Sequence, residues 1–122
     1  MSSSEHNNTY EFFIELSGEA NMEDMDKYCL PAIRLVKSKL KNKDTNINDI
    51  PELYTLAASI AYYRYVLMEY NSYSSFSAGS LSVNVSVADL KETALELIKL
   101  ALPEAAVYLN TNAVFKSIGG NL

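Results

Sequence analysis

Apolar residues recur at helical spacing along most of the chain, most clearly between residues 51 and 70. One face of that segment carries Leu53, Leu56, Ala57, Ile60, Ala61, Leu67 and Met68. Spacings of three and four place such residues on one side of a helix. Pro51 suits its first turn, and Asn48 or Asp49 is the predicted cap. Arg64, the single charge on this face, is expected to reach solvent or to pair with a carboxylate.

Tyrosines occupy the other sides of the same predicted helix. Tyr54, Tyr62 and Tyr65 lie largely off the apolar face, so the helix needs more than one packing neighbour. The chain has nine tyrosines and no tryptophan. Because tyrosine joins an apolar ring to a polar tip, it suits subunit interfaces as well as the rim of an ordinary core. These three tyrosines are therefore candidate subunit-interface residues.

Two helices are predicted before this one. Residues 10–16 form a short apolar segment, with Thr9 as candidate cap and Gly18 as its end; a helix is favoured there over a strand. Residues 21–41 repeat apolar positions at spacings of three and four, with Asn21 as the cap. Pro31 lacks a backbone donor, so a kink or break is expected near residues 29–30.

Residues 80–87 alternate strictly between polar and apolar side chains, which predicts a β-strand. Its partner is either the stretch 73–78, in a hairpin, or a strand of another subunit. A last helix follows, capped by Ser86 and ended or kinked by Pro103, with a further turn or two reaching Leu109. Its apolar face consists of Leu90, Ala94, Leu97, Ile98, Ala101 and Leu102.

The predicted fold is mainly α. It is a small bundle of three to four helices, with a strand- or hairpin-bearing loop before the last helix and an extended C-terminal tail. Residues 1–8 are expected to be a flexible arm, 9–109 one helical domain, and 110–122 a tail that is either a stub or orders on a partner. One shared core is predicted from Ile33, Val36, Leu56, Ile60, Leu67, Leu97 and Ile98.

Composition narrows the classes of function. The 122 residues, 48% apolar and 20% charged, fit one soluble globular domain, and no apolar run is long enough to span a membrane. The net charge of −5 argues against duplex binding. The basic residues between 34 and 43 are interpreted as the solvated end of a helix; the less favoured alternative is that they contact nucleic acid. The N-terminus has no signal-peptide pattern. A single cysteine, Cys29, allows no internal disulfide, so synthesis in a reducing cytosol is expected.

Catalytic and metal-binding patterns are missing from the sequence. His6 is the only histidine, and Cys29, the only cysteine, lies on an apolar helical face where packing is favoured over nucleophilic chemistry. The glycines form no phosphate-binding loop, and the acids at 23, 24 and 26 suit a helix start. We therefore expect no enzyme, no cofactor and no metal site.

The central sequence resembles the small head–tail connector (adaptor) proteins of long-tailed bacteriophages. It carries the helix IPELYTLAASIAYYRYVLMEYN, a serine-rich loop and the strand-like SAGSLSVNVSV. Ala57, Ala58, Ala61, Tyr62 and Tyr63 match the Ala- and Tyr-rich helix of that family, and Gly79, Ser82 and Val83 match its following strand. The resemblance covers roughly residues 9–109.

This resemblance implies a structural virion protein, made in the bacterial host cytoplasm and located at the head–tail interface. About twelve copies would form a ring below the portal, extending the DNA channel toward a stopper or tail-completion protein. By position, the portal interface would be Val114, Phe115, Ile118 and Leu122, and the ring or next-ring interface Phe76, Leu81, Val83 and Val85. An acidic wall would let passing DNA slide. The alternative is a helical protein-binding or regulatory module acting as a monomer or dimer.

Overall fold

A computed structural model describes residues 6–70 and 87–110, and this part of the chain is mainly helical, as predicted. Its α-helices are α1 (Asn7–Ser17), α2 (Met22–Ser38), α3 (Pro51–Tyr65) and α4 (Val87–Ala105). A π-helical turn, Val66–Tyr70, continues α3, and 3₁₀ turns occupy Ile47–Asp49 and Ala106–Tyr108. Helix α1 thus includes Asn7 and Asn8, which the sequence assigned to the arm.

The predicted strand lies mostly outside the described residues. Residues 80–86 and the hairpin partner 73–78 fall in the gap between 70 and 87. Val87 belongs to α4, so the strand assignment was wrong at this residue. Within residues 6–70 and 87–110 the extended pairing is limited to one isolated bridge.

Helix α3 is the centre of the bundle and packs against α1, α2 and α4. Its residues from Leu56 to Tyr62 are buried without interruption, together with Leu53. Small side chains at Ala57, Ala58 and Ala61 let the neighbouring helices approach from several directions. The prediction that this helix needs more than one neighbour is confirmed.

The core is a single cluster to which all four helices contribute. Of the predicted core, five residues are buried to 2% exposure or less: Ile33, Val36, Leu56, Ile60 and Ile98. Leu97 packs against the cluster at its edge. Leu67 is only half-buried, and Met68, placed on the same predicted face, is 57% exposed. Both follow the start of the π-helical turn, where i→i+5 hydrogen bonding rotates each residue away from the α-helical register.

The connection between α1 and α2 follows its sequence signals. Gly18 ends α1 in the left-handed conformation (φ 78°), and its N–H donates to the Ile14 carbonyl at 2.8 Å. The Asn21 side chain accepts from the Asp24 N–H at 3.2 Å, as an N-cap should. Thr9, by contrast, does not cap α1, because the helix begins two residues earlier and buries it completely.

The predicted caps of α3 were also wrong. Asn48 and Asp49 belong to a 3₁₀ turn that Asn46 caps, its side chain accepting from the Asn48 N–H at 3.1 Å. Ile50 occupies the N-cap position of α3 without a side-chain cap. Asn48 instead ties this turn to α1, because its Oδ1 accepts from the Asn8 N–H at 2.8 Å.

Neither internal proline ends its helix. Helix α2 continues through Pro31 to Ser38, so the alternative of a break near residues 29–30 was wrong. Buried residues on both sides of the proline, Cys29 and Ala32 among them, hold the helix in place despite the lost donor. Helix α4 passes Pro103, reaches Ala105 and continues as a 3₁₀ turn, which matches the predicted extension toward Leu109.

An antiparallel bridge joins Leu40 to Leu109, and both side chains are fully buried. The Lys41 N–H donates to the Tyr108 carbonyl at 2.9 Å, and the Asn110 N–H donates to the Lys39 carbonyl at 2.8 Å. The bridge therefore fastens the last described residues to the segment that follows α2.

Candidate functional surfaces

Four rings meet where α1, α2 and α3 converge, and we call Phe13, Tyr28, Tyr62 and Tyr65 the aromatic cluster. Tyr65 meets Phe13 and Tyr28 edge-on, with ring centroids 5.7 and 5.5 Å apart, and stacks on Tyr62 at 6.2 Å. Phe13 also stacks on Tyr28 at 6.2 Å. Such offset and edge-to-face pairs are favourable beyond the area they bury, so the cluster fixes the end of α3.

The cluster also holds the π-helical turn. The Tyr28 hydroxyl donates to the Glu69 carboxylate, and the Lys27 ammonium lies 5.2 Å from the Tyr28 ring centroid. Burial, followed by the bond to Glu69, raises the pKa of Tyr28 well above its ordinary value. The phenol therefore stays protonated and remains a donor. Glu69 is thereby anchored to α2 one residue before the turn ends at Tyr70.

An exposed methionine lies on this anchored turn. Met68, 57% exposed, precedes Glu69, two residues before the described range ends at Tyr70. Single π-helical turns occur often at functional sites, because they displace side chains from the α-helical register. The turn presents a flexible apolar side chain next to the segment that the sequence assigned to partner contacts.

The candidate interface tyrosines fall into two groups. Tyr62, 9% exposed, and the half-buried Tyr65 contact each other within the aromatic cluster. Tyr54 is half-buried against the core, about 12 Å from Tyr62 along the helix by rise alone. The structure therefore brings two of the three together and commits them largely to packing within the chain.

Two more large apolar side chains are exposed near the end of the described chain. Leu100 is 69% exposed on α4, and Val107 is 67% exposed on the following 3₁₀ turn. Sequence reasoning missed both, because Leu100 lies two positions past Ile98, off the face that the spacing defines. The signal for Leu100 in the sequence is an apolar residue on the polar side of an amphipathic helix; Val107 lies on a 3₁₀ turn and has no such signal.

The remaining candidate residues lie outside the described residues. Phe76, Leu81, Val83 and Val85 belong to 71–86, and Val114, Phe115, Ile118 and Leu122 belong to 111–122. The described chain fixes where both segments attach. The first begins after the π-helical turn, and the second after the Leu40–Leu109 bridge.

Cys29 is enclosed by the bundle. It is fully buried, and desolvation, with a smaller contribution from Asp26, raises the pKa of its thiol to about 12. The thiolate is therefore scarce at neutral pH, which disfavours nucleophilic chemistry at this residue. Across the described ranges, no three His, Cys, Asp or Glu side chains are grouped so that they could hold a metal ion.

Comparisons with known proteins found no match: no family model, no curated protein and no solved structure is similar to this chain. Among the helices in the described part, none has the length and apolar content to cross a membrane.

Proposed function

We propose that this chain is a structural subunit of a phage head–tail connector, without enzymatic activity. About twelve copies would form a ring below the portal, extend the DNA channel and join the capsid to the tail. The observation that carries this proposal is the placement of exposed apolar side chains. Of the four large apolar side chains exposed in the described ranges, Met68 precedes segment 71–86, and Leu100 and Val107 precede segment 111–122. The fourth, Met22, lies at the start of α2. These two segments are the ones assigned to partners.

Hydrogen bonds that anchor the attachment points of segments 71–86 and 111–122 support this function. The Tyr28–Glu69 hydrogen bond holds the turn before segment 71–86, and the Leu40–Leu109 bridge holds the chain before segment 111–122. An assembly subunit benefits from this arrangement, because its contacting segments start from defined positions on the helical bundle.

In the proposed ring, segment 111–122 contacts the portal through Val114, Phe115, Ile118 and Leu122. Segment 71–86 contacts the neighbouring subunit or the next ring, a stopper or tail-completion protein, with residues 80–86 as a strand in a hairpin or across subunits. Proline at Val83 would remove a ladder donor. It is expected to impair assembly and to leave the thermal midpoint of the bundle nearly unchanged.

The direct test is binding to the portal protein encoded in the same phage genome. Full-length protein and a variant ending at Asn110 are titrated onto the purified portal ring. Full-length protein is expected to dock, and the truncated protein to bind at least tenfold more weakly, a loss of about 1.4 kcal/mol. Docking at full strength by the truncated protein would remove the portal role of the tail. Absence of docking by either form would contradict the connector function.

A measurement of mass separates this function from a monomeric or dimeric binding module. Mass photometry of the mixture with the portal is expected to show a discrete species containing about twelve added chains. A species with one or two added chains would favour the binding module.

A further inference from the structure

The charges of this chain are separated along α2. The segment 34–43 contains five of the ten basic residues of the chain and no acidic residue, so it carries +5 and the remaining chain carries −10. The segment 11–26 contains six acidic residues and no basic one. We call these the basic segment (34–43) and the acidic segment (11–26).

The two segments lie toward opposite ends of α2. Glu15 in the last turn of α1 and Glu23 in the first turn of α2 flank the four-residue connection at one end. Lys37 is in the last turn of α2, and Lys41 follows the helix. From Glu23 to Lys37 the helix rises about 21 Å. All four side chains are exposed.

These charges have no partners within the described chain. Over residues 6–70 and 87–110, none of Glu15, Glu23, Lys37 and Lys41 forms an ion pair. Lys43 donates to the Ser38 carbonyl at 2.7 Å, at the C-terminal end of α2. Together with Lys37 it lines a cleft of about 290 Å³ whose other lining residues are His6, Thr45, Asn46, Ile47 and one acid, Asp44. The basic end is therefore partly concave and has donors available for carboxylates.

Helix stability accounts for only part of this separation. Glu23 and Lys37 are placed favourably for the dipole of α2. Glu15 is in the last turn of α1, where the dipole disfavours an anion, and Lys41 lies beyond the end of α2. Complementary charge on distant surfaces of one chain matches the requirement of a head-to-tail contact, in which two different surfaces meet.

We propose that the basic segment of one copy docks on the acidic segment of a second copy of this chain. The excess of negative charge elsewhere favours this occupant over nucleic acid, because phosphates would be repelled by most of the molecule. Resting on the proposed connector function, the contact would be the subunit interface of the ring. In a ring of about twelve copies each subunit is rotated by about 30° relative to the next, so its two contact surfaces lie on different sides of the subunit. The two segments lie toward opposite ends of α2, which fits this requirement.

The test is a charge-reversal exchange in the full chain. Variant one is Lys37→Glu with Lys41→Glu, and variant two is Glu15→Lys with Glu23→Lys. The matched control, Arg64→Glu with Lys99→Glu, reverses two exposed cations outside the basic segment. Circular dichroism and thermal midpoints confirm that each protein is folded. Sedimentation velocity then measures self-association at about 10 mM and about 500 mM salt, since screening weakens such a contact.

The wild type and the control are expected to self-associate at low salt and to dissociate at high salt. Each variant alone is expected to associate about tenfold more weakly or worse, and an equimolar mixture of the two to regain association. Variants that associate like the wild type, or a mixture that regains nothing, would overturn the proposed contact. A wild-type chain that stays monomeric at every salt concentration would overturn it too.

The outcome separates this contact from the connector function. If the portal-bound ring forms equally well with every variant, the contact is wrong and the connector function stands. If charge exchange restores self-association while the portal is not bound, the contact stands and the connector function fails. Short duplex DNA is a further probe: binding that only variant one loses, with self-association unchanged, would assign the basic segment to nucleic acid and overturn the proposal.

Discussion

The hydroxyl of Tyr28 on α2 donates to the Glu69 carboxylate, 41 residues further along the chain, and joins the π-helical turn to the aromatic cluster. The bond therefore links α2 to the turn that continues α3. It also makes Glu69 dependent on one donor from another helix.

Tyr28→Phe is expected to destabilise the protein by about 1.5–3 kcal/mol, because it removes a hydrogen bond to a charged group and leaves Glu69 without its donor. Urea unfolding followed by circular dichroism measures the change. The matched control is Tyr63→Phe, a half-buried tyrosine on α3, with an expected change below about 0.5 kcal/mol. Equal effects of the two substitutions would contradict the role of the Tyr28–Glu69 bond.

The protein is expected to lose stability at alkaline pH because of the buried Cys29 thiol. Its pKa rises from about 9 when unfolded to about 12 when folded, so the unfolded chain loses the thiol proton first. The protonated Cys29 thiol therefore contributes fully to the free energy of unfolding below pH 9. Its contribution decreases between pH 9 and 12, by up to about 1.4 kcal/mol per pH unit. Urea unfolding of the wild type and Cys29→Ala at several pH values tests this. Parallel curves above pH 9 would contradict it.

Ile60→Ala is expected to cost about 2–5 kcal/mol, because Ile60 is 2% exposed at the centre of α3 and its truncation leaves a cavity. Leu100→Ala removes an apolar side chain that is 69% exposed, and should change the stability by less than about 0.5 kcal/mol. Chemical unfolding of both variants provides the comparison. A loss below 1 kcal/mol for Ile60→Ala would contradict its place in the core.

Gly18→Ala is expected to cost about 1–2 kcal/mol from backbone strain alone. Gly18 has φ 78°, and apart from its chain neighbours no atom lies within 4 Å of the position its Cβ would take, so the cost comes from the backbone conformation. Thermal unfolding measures the loss. Gly18→Asn is the informative companion, because asparagine tolerates the left-handed region better and should lose less. An alanine variant as stable as wild type would show that this turn relaxes freely.

Truncation after Asn110 is expected to leave the thermal midpoint nearly unchanged, whereas truncation after Tyr108 should lower it by several degrees. The shorter variant loses the fully buried Leu109 and the Asn110 N–H that donates to Lys39. Differential scanning calorimetry distinguishes the two. Equal midpoints would show that the Leu40–Leu109 bridge adds little stability.

The helices could be predicted from the sequence because their signals are local. The apolar spacing of α3, the Asn21 cap and the end of α1 at Gly18 each depend on neighbours within a few residues. The N-cap of α3 could not be predicted in this way, because Asn48 and Asp49 belong to a 3₁₀ turn before the helix. Leu67 and Met68 were placed on the wrong face because nothing in the local pattern announces a π-helical turn.

The candidate surfaces were less predictable than the helices. The aromatic cluster requires the relative placement of three helices, which spacing within one helix cannot supply. The same holds for the pairing of Leu40 with Leu109, since an isolated bridge leaves no periodic pattern in either of the two segments that it joins. Tyr62 and Tyr65, singled out for partner contacts, could not be distinguished from packing residues before those neighbours were known.

The Leu40–Leu109 bridge also constrains the order of folding. During synthesis, residue 109 leaves the ribosome 69 positions after residue 40, at roughly 5–20 residues per second, so the segment after α2 waits several seconds for its partner. During this time α3 lacks one of its packing neighbours, because α4 also emerges late. The nascent chain therefore exposes the face of α3 that α4 later covers. Chaperone binding or aggregation during expression is expected to concentrate in this interval.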